Sequence, residues 1–300
     1  MTIVINNPFA NEDNYPVKAV THSGVFQADD VVACAILALA WGAIEVTRTR
    51  DQKVLAEAIK DASVFVVDVG GVYDDVHNNY DHHQKGGREP RPNGVPYAAC
   101  GLVWDRFGFR AVSEMLGEEF SPRDRLKVFE EVDKAIAAID AADCGYSRPQ
   151  WEDGKKVLWG RAGLTVLVAQ ANPLSYFGEK DFDRHFAEAV EMVIPVLRRM
   201  ILSEGSKIGL QKEVEVALAE AKGKPYFILE QGMPAPTWSG LAAKSDPRIL
   251  YAIFPMASGG WGLQQVPKAP GSFEGRKPLP AAWSTLRGED LQAVLPETVP

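Results

Sequence analysis

The stretch "SVFVVDV", Ser63 to Val69, sets four apolar residues, Val64 to Val67, directly before an aspartate. A strand with one wet face alternates apolar and polar side chains. A run that is apolar on both faces must be covered on both, as in a parallel sheet lying between helices. The flanking sequence supplies such a frame. "VKAVTHS" (Val17 to Ser23) alternates and ends in small polar residues, like a strand entering a turn. Asp29 and Asp30 then open an alanine-rich helix to Trp41, with acidic side chains at its positive end. "IEVTRTR" reads as a second strand, "DQKVLAEAIKDA" as a second helix and "SVFVVDV" as a third strand. Strand and helix alternate, so the fold class is α/β, a parallel-sheet domain with helices on both faces.

Further on, "PYAACGLVWDRFG" reads as a helix and "SPRDRLKVFEEVDKAIAAIDAAD" as a long amphipathic one capped by Ser121. "CGYSRPQWEDGKK" looks like a connection, followed by two helices around Phe182 to Ser203 and Lys207 to Ala221. From Pro225 the character changes to short strand-like runs, "PYFILE", "ILYAIFP" and "WGLQQVP", separated by Gly and Pro. A chain of 300 residues favours two domains. The change falls near residues 175 to 205, giving an α/β domain over 1–180, then a helical connection and a smaller α+β domain over 181–300.

Composition narrows the function. A formal net charge of −8 argues against a broad electrostatic grip on nucleic acid, which needs a positive surface. The N-terminus lacks the pattern of a secretory signal. The longest uncharged apolar run, Val31 to Ile44, is shorter than the ~18 residues of a membrane span. Cys34, Cys100 and Cys144 form no CxxC pattern and fit reduced thiols, so a cytoplasmic location is expected.

The residues that carry chemistry fall at the ends of these elements. In open α/β sheets, ligands collect at the carboxyl ends of the strands. The first strand ends in His22, with Gln27 and Asp29 just after it; the third ends in Asp68; the next short segment ends in Asp81, His82 and His83; and the long helix ends in Asp140 and Asp143. A mixed shell of imidazole and carboxylate suits Mn²⁺ and also holds Zn²⁺, Fe²⁺ or Co²⁺, whereas Mg²⁺ favours oxygen. With two ions ~3.5–4 Å apart, Asp68 is placed to bridge them, which is the arrangement of phosphoester chemistry. Simpler roles compete: Asp29 and Asp30 as helix caps, Asp140 as a helix end, His77 and His185 as surface or satisfied histidines. Lys85, Arg88 and Arg91 follow the histidines directly, either as a solvated loop or as a grip on phosphate.

The segments "THSGVFQADDVVACAIL", "RTRD", "VVDVGGVYD", "YDHHQ", "CGLVW" and "IDAADCG", in that order, resemble the DHH phosphoesterase superfamily. Within it they are similar to the melanocyte-proliferating-gene-type branch, which is related to a 3′–5′ RNA exonuclease. "KPYFILEQG", "ILYAIFP", "WGLQQVP", "FEGRKPLPAAW" and "LRGEDL" continue the likeness over nearly the whole chain. The resemblance implies a dinuclear Mn²⁺-type centre in the first domain and a second domain closing over substrate. It implies that His22 binds the first ion, Asp29 the second, Asp68 both, and that His82 and Asp143 complete the second site. It also implies that His83 contacts the scissile phosphate and that Arg276 binds substrate. Two features depart from the branch. Gln27 stands where a histidine is usual, so the first site is expected to be weak. The sequence also ends at "LPETVP", without the Gly- and His-containing strand usual after "LRGEDL".

The function expected is therefore a metal-dependent phosphodiesterase or exonuclease acting on short RNA, oligonucleotides or related nucleotides. Two alternatives stand beside it: a weakened metal- or nucleotide-binding regulatory relative, marked by Gln27, and a hydrolase of a non-phosphate bond. The partners implied are an oligonucleotide or nucleotide substrate and no membrane; a homo-oligomer is left open.

Overall fold

The computed structural model describes residues 2–10, 16–146, 150–152, 155–157, 163–283, 286, 290 and 293–294. The chain divides into two compact units, Met1–Gly205 and Ser206–Pro300. In the first, β1 (Thr2–Asn6), β2 (Val17–Thr21), α1 (Ala28–Trp41), β3 (Ala43–Arg48), α2 (Gln52–Ala58), β4 (Val64–Val67), β5 (Tyr73–Asp74) and β6 (Asn79–Tyr80) build a six-stranded sheet in the order β1-β3-β2-β4-β6-β5. The four inner strands are parallel, and β1 and β5 pair antiparallel at the edges. From sequence, no strand is expected before Val17. β1 nevertheless pairs along β3, with Ile5 opposite Ile44 and fully buried.

The apolar run at β4 is explained by what covers it. Val64 and Val66 pack with Leu55 and Ala58 of α2 on one face. Phe65 turns to the other face and meets Trp41 of α1 and Phe107 at ring-centroid distances of 5.0 and 5.3 Å. Phe107 belongs to α3 (Ala99–Leu116), which packs on α1 and on α4 (Pro122–Asp143). Helix α1 is buried from Ala28 to Ala40, so its lack of a polar face is that of a helix enclosed all round. Gly42 ends it in the left-handed conformation (φ 87°), with its N–H on the Ala38 carbonyl. Ser121 caps α4, its hydroxyl accepting from the Asp124 N–H. The connection after α4 contains a short antiparallel pair, β7 (Gln150–Glu152) with β8 (Lys155–Val157), and then α5 (Leu164–Gln170).

Residues expected to form two helices, Phe182 to Ser203 and Lys207 to Ala221, form one, α6 (Phe182–Glu220). Gly205, in the short gap between the two expected helices, serves close packing. A Cβ there would lie 2.6 Å from Leu116 Cδ2, so the glycine lets α6 approach the end of α3.

The second unit holds β9 (Tyr226–Ile228), α7 (Ala235–Lys244), β10 (Tyr251–Pro255) and β11 (Trp261–Gln265), with sheet order β11-β10-β9. Its core gathers Val214, Phe227, Leu229, Trp238, Ala252 and Val266. The three strands are those expected from sequence; α7 is not anticipated there. Among the described residues, no helix is long and apolar enough to cross a membrane.

Candidate metal centre

Chain order places the centre. From β2 the chain moves out to β3 and returns to β4 on the other side of β2, so the strand order reverses between β2 and β4. A crevice opens at the carboxyl ends of strands at such a reversal. His22 follows β2, Asp68 follows β4, and His82 and His83 follow β6. Asp29 and Asp30 lie in the first turn of α1, and Asp143 is the last residue of α4.

These side chains converge around Asp68, which is 4 % exposed. Its Oδ2 lies 3.3 Å from His22 Nε2, and the same nitrogen is 3.3 Å from Asp30 Oδ2. Its Oδ1 lies 3.4 Å from His82 Nε2, which is also 3.5 Å from Asp29 Oδ2 and 3.2 Å from Asp143 Oδ2. Two donor sets thus share one carboxylate, one oxygen to each. Asp68 itself has φ 54°, the left-handed region that aspartate tolerates better than most residues.

The outer partners fix the donors. Both oxygens of Asp29 accept from the start of α3, at 2.9 Å from Ala99 N and 2.6 Å from Cys100 N, so the positive end of that helix holds a fully buried carboxylate. Asp30 Oδ1 accepts from Gln27 N at 2.8 Å and Val31 N at 3.0 Å, while its Oδ2 stays free to face His22. Asp81 Oδ1 accepts from the N–H groups of His82 and His83 and from His83 Nδ1, and its Oδ2 from Gly71 N. The first residue of "DHH" therefore organises the turn that presents the two imidazoles.

The electrostatics of this cluster call for positive charge. Burial pushes Asp29 well above the usual carboxylate range, and the charges of Asp68 and Asp143 add to it. Burial likewise pushes Asp30 up to about 7. Burial works against charge on Asp68 too, but the facing imidazoles of His22 and His82, at 3.3 and 3.4 Å, outweigh it and hold the carboxyl low. Burial opposes the imidazolium forms of His22 and His82, yet the surrounding carboxylates raise both, His82 strongly.

The residues present fit bound metal. Asp30 Oδ2, Asp68 Oδ1 and His82 Nε2 are buried atoms with no hydrogen-bond partner. Leaving such atoms unpaired is costly unless something else satisfies them. Two donors each ~2.1 Å from one ion stand roughly 3.0–3.4 Å apart for right-angled to tetrahedral geometry. The contacts from 3.2 to 3.5 Å around His22 and His82 are close to that spacing.

Beside the centre lies a cavity of about 560 Å³, lined by His22, Asp68 and His83 together with Gln27, Arg50 and Gln52. A second, of about 390 Å³, is lined by Asp29 and Asp143 with Phe26, Ile139 and Ala169.

The model of the MYG1 exonuclease family, described as uncharacterised protein family UPF0160, matches residues 18–297. The chain belongs to this family. It is 32% identical to the human MYG1 exonuclease over 311 residues, spanning 93% of this chain and 77% of the relative. Identity to the mouse MYG1 exonuclease is 32% over 304 residues, with 93% and 77% covered. Identity to the MYG1 protein C27H6.8 of Caenorhabditis elegans is 27% over 299 residues, with 90% and 84% covered. No solved structure matches.

In this MYG1 family chain, the structure brings together His22, Asp29, Asp68, His82 and Asp143, with His83 at the rim, its Nδ1 3.6 Å from Asp68 Oδ1. Gln27 is exposed on the wall of the larger cavity. Asp140 turns away, to Arg91, Gly101 N and Cys100 Sγ. Arg91 is buried between Asp140 and Asp133, so neither a solvated loop nor a phosphate grip describes it. Lys85 is exposed, and Arg88 pairs with Asp105 at 2.7 Å and with the Tyr73 hydroxyl at 3.2 Å. Arg276, in the second unit, donates to the carbonyls of Ala243, Ser245, Asp246 and Ile249, four backbone oxygens around the end of α7. His77 and His185 are satisfied by Asp74 and by the Ala171 carbonyl. Sequence reasoning treats Asp30 only as a cap; the structure shows one oxygen capping and the other in the donor set. The adjacent pair "DD" is the available signal, since a cap needs only one acid.

Proposed function

We propose that this chain is a metal-dependent phosphodiesterase of the DHH phosphoesterase superfamily, an exonuclease hydrolysing short RNA, oligonucleotides or related nucleotides at a dinuclear Mn²⁺-type centre. The observation that carries the reading is Asp68, whose two oxygens face two different donor sets. His22, Asp30 and Asp68 hold the first ion, with the Gln27 amide at the cavity wall; Asp29, Asp68, His82 and Asp143 hold the second. Zn²⁺, Co²⁺, Fe²⁺ or Mg²⁺ are substitutes the same donors accept with different strength. Bound metal supplies Lewis-acid polarisation of the phosphoryl group and a lowered pKa for water. The protein's own part is to hold these donors without rearrangement and to place His83 on the substrate side. Asp81 accepts from His83 Nδ1–H, and with the second proton on the ring, Nε2 would donate to a phosphoryl oxygen and stabilise charge there. The naming of the human and mouse relatives as exonucleases supports the nuclease class. The acidic balance of the chain supports a short substrate held by the centre over a long one held by surface charge.

The test is metal analysis of protein loaded with Mn²⁺, followed by a panel of bis(4-nitrophenyl) phosphate, a dinucleotide, end-labelled RNA and an amide substrate. Two ions per chain with phosphodiester cleavage from one end are expected. One ion without cleavage, or cleavage of the amide alone, overturns the reading.

A further inference from the structure

The cavity beside the centre carries one permanently positive group among its described lining residues, Arg50. It lies two residues past β3, as His22 lies just past β2 and Asp68 just past β4. Three adjacent strands, β3, β2 and β4, therefore deliver a guanidinium, an imidazole and a carboxylate to one edge of the sheet. Arg50 Nε donates to the Ser23 carbonyl at 3.1 Å, which anchors the side chain to the loop that follows His22. Its two terminal nitrogens have no hydrogen-bond or ion-pair partner among the described residues. Arg48, two residues earlier, contrasts with it: that guanidinium is buried and committed to Gly24 O, Phe182 O and Asp183. In a chain of net charge −8, an arginine with both terminal nitrogens free, lining the cavity that His22, Asp68 and His83 also line, is placed for an anion.

Strand spacing says which anion. Adjacent strands stand ~4.8 Å apart, so the end of β3 lies two spacings, roughly 10 Å, from the end of β4 that carries Asp68. A phosphoryl group over Asp68 is served by the metal donors and His83. The Arg50 fork meets the chain of the substrate further along.

We propose that Arg50 is the anchor for a second phosphate of the substrate, the neighbour of the one under attack, and that it makes the site prefer ligands with two phosphates over ligands with one. This rests on the phosphodiesterase reading above, and its test separates the two. In the Mn²⁺-loaded full chain, calorimetry should show a nucleoside 3′,5′-bisphosphate binding at least tenfold tighter than the nucleoside monophosphate, a gap that Arg50→Ala removes and Arg50→Lys restores only in part, since lysine keeps the charge and loses the fork. In turnover, Arg50→Ala should raise KM about tenfold for a dinucleotide bearing a terminal phosphate and leave bis(4-nitrophenyl) phosphate, with its single phosphate, within twofold. Equal losses on both substrates would place Arg50 at the reacting phosphate and overturn the proposal, as would an unchanged bisphosphate preference in Arg50→Ala. If the wild type cleaves neither substrate, the phosphodiesterase reading fails while the binding comparison still decides the role of Arg50.

Discussion

Asp68→Asn separates a bridging carboxylate from a structural one. Asparagine is nearly isosteric and tolerates φ 54°, so the backbone turn after β4 should survive. In metal-free protein two effects oppose each other. The variant loses the carboxylate's contacts at 3.3 Å to His22 and 3.4 Å to His82, and it relieves repulsion with the buried Asp29 and Asp30. The net change should stay within about 1 kcal/mol. With metal the outcome differs. An ion at a hundredfold its Kd stabilises the folded state by ~2.7 kcal/mol, so two contribute ~5.4 kcal/mol. For a unit of the size of Met1–Gly205, at ~3 °C per kcal/mol, that is a rise in Tm of ~15 °C. Because Asp68 belongs to both donor sets, Asp68→Asn should shrink the rise to below ~3 °C, lower metal content at both sites and abolish hydrolysis. Thermal unfolding with and without Mn²⁺, alongside metal analysis, reads all of this. A variant that keeps half the rise and one tightly bound ion would show that Asp68 serves a single site. One that unfolds several degrees earlier without metal would make the carboxylate structural.

His83→Ala should leave bound metal nearly unchanged and depress kcat at least tenfold, because the side chain is 64% exposed at the rim; parallel loss of metal would put it among the ligands. Gln27→His adds an imidazole to the wall of the cavity that His22 also lines and should raise occupancy of the first site at low Mn²⁺, with faster turnover; tight binding of two ions by the wild type, unaltered in the variant, would remove the weak-site idea. Metal must displace protons from His22, His82 and, below about pH 7, from Asp30. Mn²⁺ affinity should therefore fall as pH falls, by about tenfold or more from pH 8 to pH 6, and equal affinities at the two values would contradict the electrostatics described. In Gly101→Ala the new methyl would overlap the Asp140 carboxylate in a fully buried position, so stability should drop by ~3 kcal/mol or more; an unchanged unfolding midpoint would refute that packing.

What the sequence by itself determined is the frame and the meeting place of most of the titratable side chains at one edge. The apolar run at Val64 to Val67 demands cover on both faces, and strand alternating with helix brings His22 and Asp68 to one edge, where the short parallel strand β6 adds His82, because parallel strands point their carboxyl ends the same way. Asp143 is reachable from sequence for a related reason, as the last residue of a long helix returning to that edge. Other features came from chain segments that are distant in sequence, and local pattern carries no record of them. Antiparallel β1 is defined by its pairing with β3. At Gly205, within the continuous α6, the close approach of Leu116 leaves no room for a Cβ. Arg91 reads as a loop cation until Asp140 and Asp133 of α4 close on it. Asp29 and Asp30 look like equivalent caps, and only tertiary contacts separate them: the start of α3 takes both oxygens of one, while His22 leaves the other divided between cap and centre. Periodicity reports which face of an element is buried. Which partner meets that face, and which atom is left over for a ligand, is decided when the elements pack.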